Sequence, residues 1–130
     1  MNIVGLGVVS IVDDDESIRA ATKTLLRSVG YDVETFASAE LFLDSGALRK
    51  TECLILDIRM PGIDGLELQR RLNAAESPVP IIFVTARDDK TNRQKATKAG
   101  ARDFFRKPFD ANALVGAIQA ALRARRSGRA

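Results

Sequence analysis

Three short stretches of this chain, VVSIV (Val8–Val12), CLIL (Cys53–Leu56) and PIIFV (Pro80–Val84), are apolar almost without interruption. A strand with one wet face alternates apolar and polar residues. A continuous run of four or five needs cover on both faces, as strands have in a parallel sheet flanked by helices. With their flanks these runs predict strands over Val8–Val12, Cys53–Asp57 and Val79–Val84. Two more segments, Tyr31–Phe36 and Asp103–Arg106, have strand character as well.

Helical patterns lie between them. Ile18, Ala21, Thr22, Leu25 and Val29 fall on one stripe, and Leu114, Ala117, Ile118, Ala121 and Arg125 repeat at helical spacing. Gly30 and Gly100 stand where helices should end, each just before a strand. Ser38 and Asp110 are placed to cap the helices that follow. The segment Asp88–Ala99 is the least apolar of the helical ones, with Ala96 and Ala99 as its core positions, and a weakly anchored helix is a candidate moving part. Strand and helix thus alternate five times, which predicts a single doubly wound α/β domain with right-handed crossovers.

In such a sheet, ligands bind beyond the carboxyl ends of the strands. The first strand ends in Asp13-Asp14-Asp15-Glu16, the third on Asp57, the fourth on Thr85-Ala86 and the fifth in Arg106-Lys107-Pro108-Phe109. Asp13, Asp14 and Asp57 in one site would repel one another unless a cation joined them. A hard divalent ion such as Mg2+, which takes oxygen ligands, answers that need. Lys107 adds an ammonium and Thr85 a hydroxyl, completing a set that can position a phosphoryl group. Asp57 at the centre can act as a nucleophile and form an acyl phosphate. Taken singly, each residue has a plainer role. Asp13 to Glu16 suit an acid-rich helix N-terminus, Asp57 a turn before Met60-Pro61-Gly62, Thr85 a β-branched strand position, and Lys107 a solvated surface. Their coincidence at four strand ends favours the common site.

At 130 residues the chain is long enough to bury a full core without staples, and its one cysteine, Cys53, sits inside an apolar run. With no apolar stretch of membrane-spanning length and no leader-like N-terminus, the chain is expected to be cytoplasmic. The net charge of +3 belongs to the C-terminus. Without Arg123, Arg125, Arg126 and Arg129, 16 basic residues face 17 acidic ones, so a direct nucleic-acid role is not expected. The absence of histidine excludes histidine-based acid–base, triad and metal chemistry.

The strings IVDDDESIR, LILDIRMPGIDGLEL, PIIFVTA and KAGARDFFRKPF, in that order, resemble the receiver domain of bacterial two-component response regulators. The likeness runs from about Val8 to about Leu122. It implies a flavodoxin-like (βα)5 fold of strand order 2-1-3-4-5, with Asp57 accepting a phosphoryl group from a sensor histidine kinase or phosphotransfer protein. It further implies Mg2+, with Mn2+ as a substitute, held by Asp14 directly, by Asp13 through water, by Asp57 and by the backbone carbonyl of Arg59. Lys107 would contact the phosphoryl oxygens, Thr85 would be the switch hydroxyl, and Phe104 would change rotamer with it. Many relatives carry tyrosine or histidine at the Phe104 position, so here the ring reports only through packing. The resemblance also implies a cis bond between Lys107 and Pro108.

The domain expectation is an N-terminal extension over 1–7, the receiver domain over 8–122, and a basic tail or linker start over 123–130. The expected function is a phosphorylation-controlled switch, not an enzyme, acting through the face of the fourth helix, fifth strand and fifth helix on a partner or output domain. A phosphorylation-dependent homodimer is a further possibility for that face. An aspartyl-phosphate phosphatase of the haloacid dehalogenase type is the competing reading. It needs an acid two residues beyond its nucleophile, where this chain has Arg59, which cannot act as a base. Arg59 and Arg87, two residues beyond Asp57 and Thr85, are candidates for tuning the lifetime of the phosphorylated state. The third reading is a degenerate receiver that serves only as an interaction module.

Overall fold

The three apolar runs form the centre of one sheet that is covered on both faces. The computed structural model describes residues 7–86 and 90–127. The strands are β1 (Val8–Val12), β2 (Asp32–Phe36), β3 (Cys53–Leu56), β4 (Ile81–Thr85) and β5 (Asp103–Arg106). They alternate with helices α1 (Glu16–Ser28), α2 (Ala39–Ser45), α3 (Gly65–Ala74), α4 (Lys90–Lys98) and α5 (Ala111–Ser127). All strands are parallel, in the order β2-β1-β3-β4-β5.

Alternate side chains of each strand enter opposite halves of the core. Val9, Ile11, Cys53, Ile55, Ile82 and Val84 meet Leu26 of α1 and Leu114 and Ile118 of α5. Val12, Leu54, Leu56, Ile81, Phe83 and Phe104 meet Phe42 of α2, Leu68 and Leu72 of α3, and Ala96 of α4. The sequence is apolar without alternation because both sides of the sheet are inside. Cys53 is fully buried, and burial pushes its thiol up to about 12, so it stays protonated and serves as core.

The expected bounds of β1 and β5 match the structure, and the other strands shift by one or two residues. β2 starts at Asp32 because the Tyr31 amide donates to the carbonyl of Leu26 at 3.1 Å, ending α1. β4 starts only after Pro80, which has no N–H to give a ladder, although its carbonyl accepts from Leu54 at 3.0 Å. Thr85 instead joins β4, opposite Arg106. Gly30 and Gly100 do end helices, with φ of 108° and 102°. Ser38 Oγ accepts from the Leu41 amide and Asp110 Oδ2 from the Ala113 amide, both at 3.1 Å.

Two helical stripes need correction. In α1 the buried residues are Thr22 and Leu26, whereas Ala21 is exposed and Val29 is the C-cap, outside the regular helix, with 38 % of its surface exposed. In α4 Ala96 is buried, whereas Ala99, just past its end, is exposed. α3 compensates for this thin apolar contact with two polar ties. Gln69 Nε2 donates to the carbonyl of Ala96 at 3.0 Å, and Asn73 Nδ2 to that of Ala99 at 2.9 Å. Both carbonyls lie at the C-terminal end of α4, and that of Ala96 also accepts from the Ala101 amide at 2.9 Å.

Helix α5 continues to Ser127, so the helical repeat that included Arg125 runs on through Arg123 and Arg126. Arg125 Nη1 donates to the carbonyl of Glu52 at 2.9 Å, tying the last turns of α5 to the start of β3. Among the described residues, no helix is long and apolar enough to cross a membrane.

Gln69→Ala leaves the buried carbonyl of Ala96 without its side-chain donor. Because the Ala101 amide still serves that carbonyl, urea unfolding is expected to show a loss of about 0.5–1.5 kcal/mol, with the largest gain in amide hydrogen exchange in α4. Equal gains in all five helices would remove the special dependence of α4 on α3.

Candidate functional site

Strands β1 and β3 are neighbours at the middle of the sheet, with Val12 opposite Leu56. The next residue on each is an aspartate, and the Asp57 amide donates to the carbonyl of Val12 at 3.0 Å. Asp13 and Asp57 therefore leave the core side by side, with only 3 % and 7 % of their surfaces exposed. The four acids after β1 divide their work. Asp15 is the N-cap of α1, accepting from the Ile18 amide at 3.1 Å, and Glu16 lies in the first turn. Asp13 is turned inward, its Oδ1 accepting from the Asp15 amide at 2.9 Å, and Asp14 is exposed beside it. One carboxylate oxygen from each of Asp13, Asp14 and Asp57 lies within 4.8 Å of the others. Three hard oxygen donors so close together fit a Mg2+-type cation.

Lys107, just beyond β5, partly offsets this concentration of negative charge. Its ammonium is 2.7 Å from Asp13 Oδ2 and 3.6 Å from Asp57 Oδ2. The Lys107 amide also donates to the carbonyl of Thr85 at 2.7 Å, so the turn after β5 is fastened to β4. Asp13 has the closer claim on the ammonium. Burial first, then the negative charge of Asp13, push the Asp57 carboxyl up to about 6, against the opposing pull of Lys107. The bond between Lys107 and Pro108 is cis, as the family resemblance implies.

The loop from Asp57 to α3 turns back sharply. The Gly65 amide donates to the carbonyl of Ile58 at 2.8 Å, and a side-chain carbon at Gly65 would collide with the carbonyl oxygen of Asp57. Gly65 is thus required for close approach of α3 to the strand end. Gly62, with φ of 75°, is required for its backbone conformation. Arg59 lies on this loop with its side chain exposed.

Thr85 is 2 % exposed at the end of β4. Phe104 is buried on β5, its ring centroid 6.1 Å from that of Phe83, and the Arg93 guanidinium of α4 lies 5.4 Å above it. That cation–π contact joins the ring to α4. Of the residues singled out in the sequence, Asp13, Asp14, Asp57 and Lys107 come together. Thr85 and Phe104 stand on adjacent strands two register positions apart, and Arg87 lies outside the described residues.

Residues 9–119 match the family model described as the response regulator receiver domain. The chain belongs to that family. Over 116 residues this receiver domain is 47 % identical to the response regulator protein TodT of Pseudomonas putida, covering 89 % of the chain and 51 % of TodT. It is 39 % identical over 117 residues to the transcriptional regulatory protein FixJ of Bradyrhizobium diazoefficiens, covering 90 % of the chain and 57 % of FixJ. Among solved structures, that of the response regulator StyR superposes with a TM-score of 0.86 at 44 % identity, over 94 % of this receiver domain and 62 % of that chain. The receiver domain thus spans little more than half the length of these curated relatives.

Sequence reasoning missed three residues around the site. Arg19 of α1 donates from Nη1 to the carbonyl of Asp13 at 2.8 Å, fixing the backbone that carries the acids. Its place about one turn into the helix after the acid run was the available signal. Arg93 and Glu40 reach the site region from other elements, and nothing in their local sequence marks them.

A carboxyl that holds its proton more tightly folded than unfolded opposes folding when it ionises. Between about pH 4, the range of a free aspartate, and about pH 6, the folded chain binds more protons at Asp57. Its contribution to stability therefore falls as pH rises through that window. Without divalent cations, Asp57→Asn is expected to be more stable than the parent at pH 7, and this advantage shrinks as pH falls through 6 toward 4. Urea midpoints across that range check it; a constant difference would contradict the assignment.

Proposed function

We propose that this receiver domain of two-component signalling is a Mg2+-dependent switch written at Asp57. The observation that carries the reading is the convergence of Asp13, Asp14 and Asp57 within 4.8 Å beside the Lys107 ammonium. An oxygen of Asp57 forms a bond to phosphorus as the P–N bond of a phosphohistidine breaks, the donor being a sensor histidine kinase or phosphotransfer protein. Asp13, Asp14, Asp57 and the Arg59 carbonyl would hold Mg2+, or Mn2+ in its place. When bound, that cation supplies charge neutralisation for the acids and the phosphoryl oxygens. Lys107 gives the phosphoryl group a second cationic contact from the chain itself.

The new group adds roughly two negative charges. Thr85, at the end of β4, turns its hydroxyl toward them, and Phe104 repacks into the space released. The ring is already joined to α4 through Arg93, so its movement shifts the population of α4–β5–α5 arrangements. Small residues in these elements (Ala96 against the core, and Ala99, Ala111 and Ala113 exposed) leave room for rearrangement. The readers of the face are an output partner or an effector domain, or a second copy in a phosphorylation-dependent homodimer. FixJ is a transcriptional regulatory protein, which supports an output in gene regulation. This reading takes the receiver domain as about residues 8–122, acting in the cytoplasm without nucleic-acid contact of its own.

Turnover is disfavoured by Arg59, which stands where a phosphatase of the haloacid dehalogenase type needs its acid. The phosphorylated state should persist, losing its group only by slow self-dephosphorylation. Arg59 and Arg87 tune that lifetime by hindering the attacking water.

Asp57→Asn is expected to abolish labelling by acetyl phosphate in the presence of Mg2+, and stoichiometric labelling of this variant would refute the nucleophile. Arg59→Ala and Arg87→Ala should each change the rate of self-dephosphorylation. An unchanged lifetime in both would remove their tuning role.

A further inference from the structure

Glu40 belongs to the first turn of α2, remote in sequence from every residue of the site. Its side chain nevertheless crosses to the loop between β3 and α3, where Oε2 accepts a hydrogen bond from the Ile63 amide at 2.9 Å. A side-chain carbon at Gly62 would collide with that oxygen. The carboxylate therefore occupies space that the glycine leaves open. The loop's φ of 75° at Gly62 and the position of Glu40 are fitted to each other.

The other oxygen sharpens the point. Glu40 Oε1 is shut off from solvent and meets no donor among the described residues, and it is the one buried side-chain polar atom in that state among them. A buried acceptor without a donor opposes folding, and such groups are uncommon in native structures. A shorter or apolar residue at this position would avoid the penalty. The fold carries it where the opposite oxygen grips the loop, and local rules are broken in this way most often at functional sites.

We propose that Glu40 is a positioning residue for the cation site, holding the β3–α3 loop so that the Arg59 carbonyl faces the carboxylates. This rests on the reading of that carbonyl as a ligand. The loop has two anchors of its own: the bond from the Gly65 amide to the Ile58 carbonyl at its base, and the burial of Ile58 and Met60. Glu40 adds a third, on the far side of Arg59 from the strand and from a different helix. Donation from the Ile63 amide holds its carboxyl below the usual range, so it stays an ionised acceptor at neutral pH. The loop is thereby set in place before a cation arrives, which lowers the ordering that binding must impose.

The test is an NMR titration with Mg2+ alone on the parent, Glu40→Ala and Glu40→Gln, together with hydrogen exchange at the Ile63 amide. Loss of one charge-assisted hydrogen bond is expected to weaken Mg2+ binding about tenfold in Glu40→Ala and to speed exchange at Ile63. Glu40→Gln still offers an oxygen to Ile63 and should keep most of the affinity. Glu40→Met, similar in length but without a strong acceptor, should behave as the alanine variant and replaces it if that variant does not fold. Unchanged Mg2+ affinity in the folded alanine or methionine variant overturns the proposal. Equal losses in the glutamine and alanine variants overturn it too, since they would mark a charge effect. A parent chain that binds no Mg2+ overturns the cation reading itself, a failure distinct from the first two.

Discussion

Two buried carboxylates at adjacent strand ends repel each other, and Lys107 is the cation that the fold brings to them. Its ammonium sits 2.7 Å from Asp13 but 3.6 Å from Asp57, so the compensation is unequal. Burial and the charge of Asp13 push the Asp57 carboxyl upward. A site built this way favours the arrival of more positive charge. The rest of the architecture serves to hold this imbalance in place: β1 and β3 side by side, β5 close enough for its turn to reach back, and α1 pinned through Arg19.

The sheet order explains why these parts meet. The chain passes from β1 outward to β2, then returns past β1 to β3, and the crevice between outgoing and returning connections opens where Asp13 and Asp57 emerge. The helices on the two faces are not equally anchored. α5 inserts Leu114, Ile118, Ala121 and Leu122 into the core. α4 inserts Ala96, is tied at its C-terminal end by Gln69 and Asn73, and holds Phe104 through Arg93. A helix held by few contacts can change its position at low free-energy cost.

Much of this was legible in the sequence because it depends on local pattern. Unbroken apolar runs announce buried parallel strands, and Gly30, Gly100, Ser38 and Asp110 mark helix ends through backbone requirements that act over a few residues. The errors lie where a neighbour decides. Ala21 and Val29 fit the apolar stripe of α1, yet the helix turns Leu26 to the sheet in their place. Ala99 resembles Ala96 in sequence, but only the latter faces the core. At Gly65 the constraint comes from a neighbouring strand end, the carbonyl oxygen of Asp57 packed against the place of a side chain.

The sequence by itself determined the fold class, the family and the four strand ends that carry acids, hydroxyl and lysine, since periodicity and strand-end chemistry are encoded within single segments. Tertiary structure alone decided which side chains meet across segments. It gave Lys107 to Asp13 before Asp57, laid Arg93 over Phe104 and sent Glu40 to the Ile63 amide. Such contacts depend on distances between elements far apart in the chain, and local propensity contains no term for them.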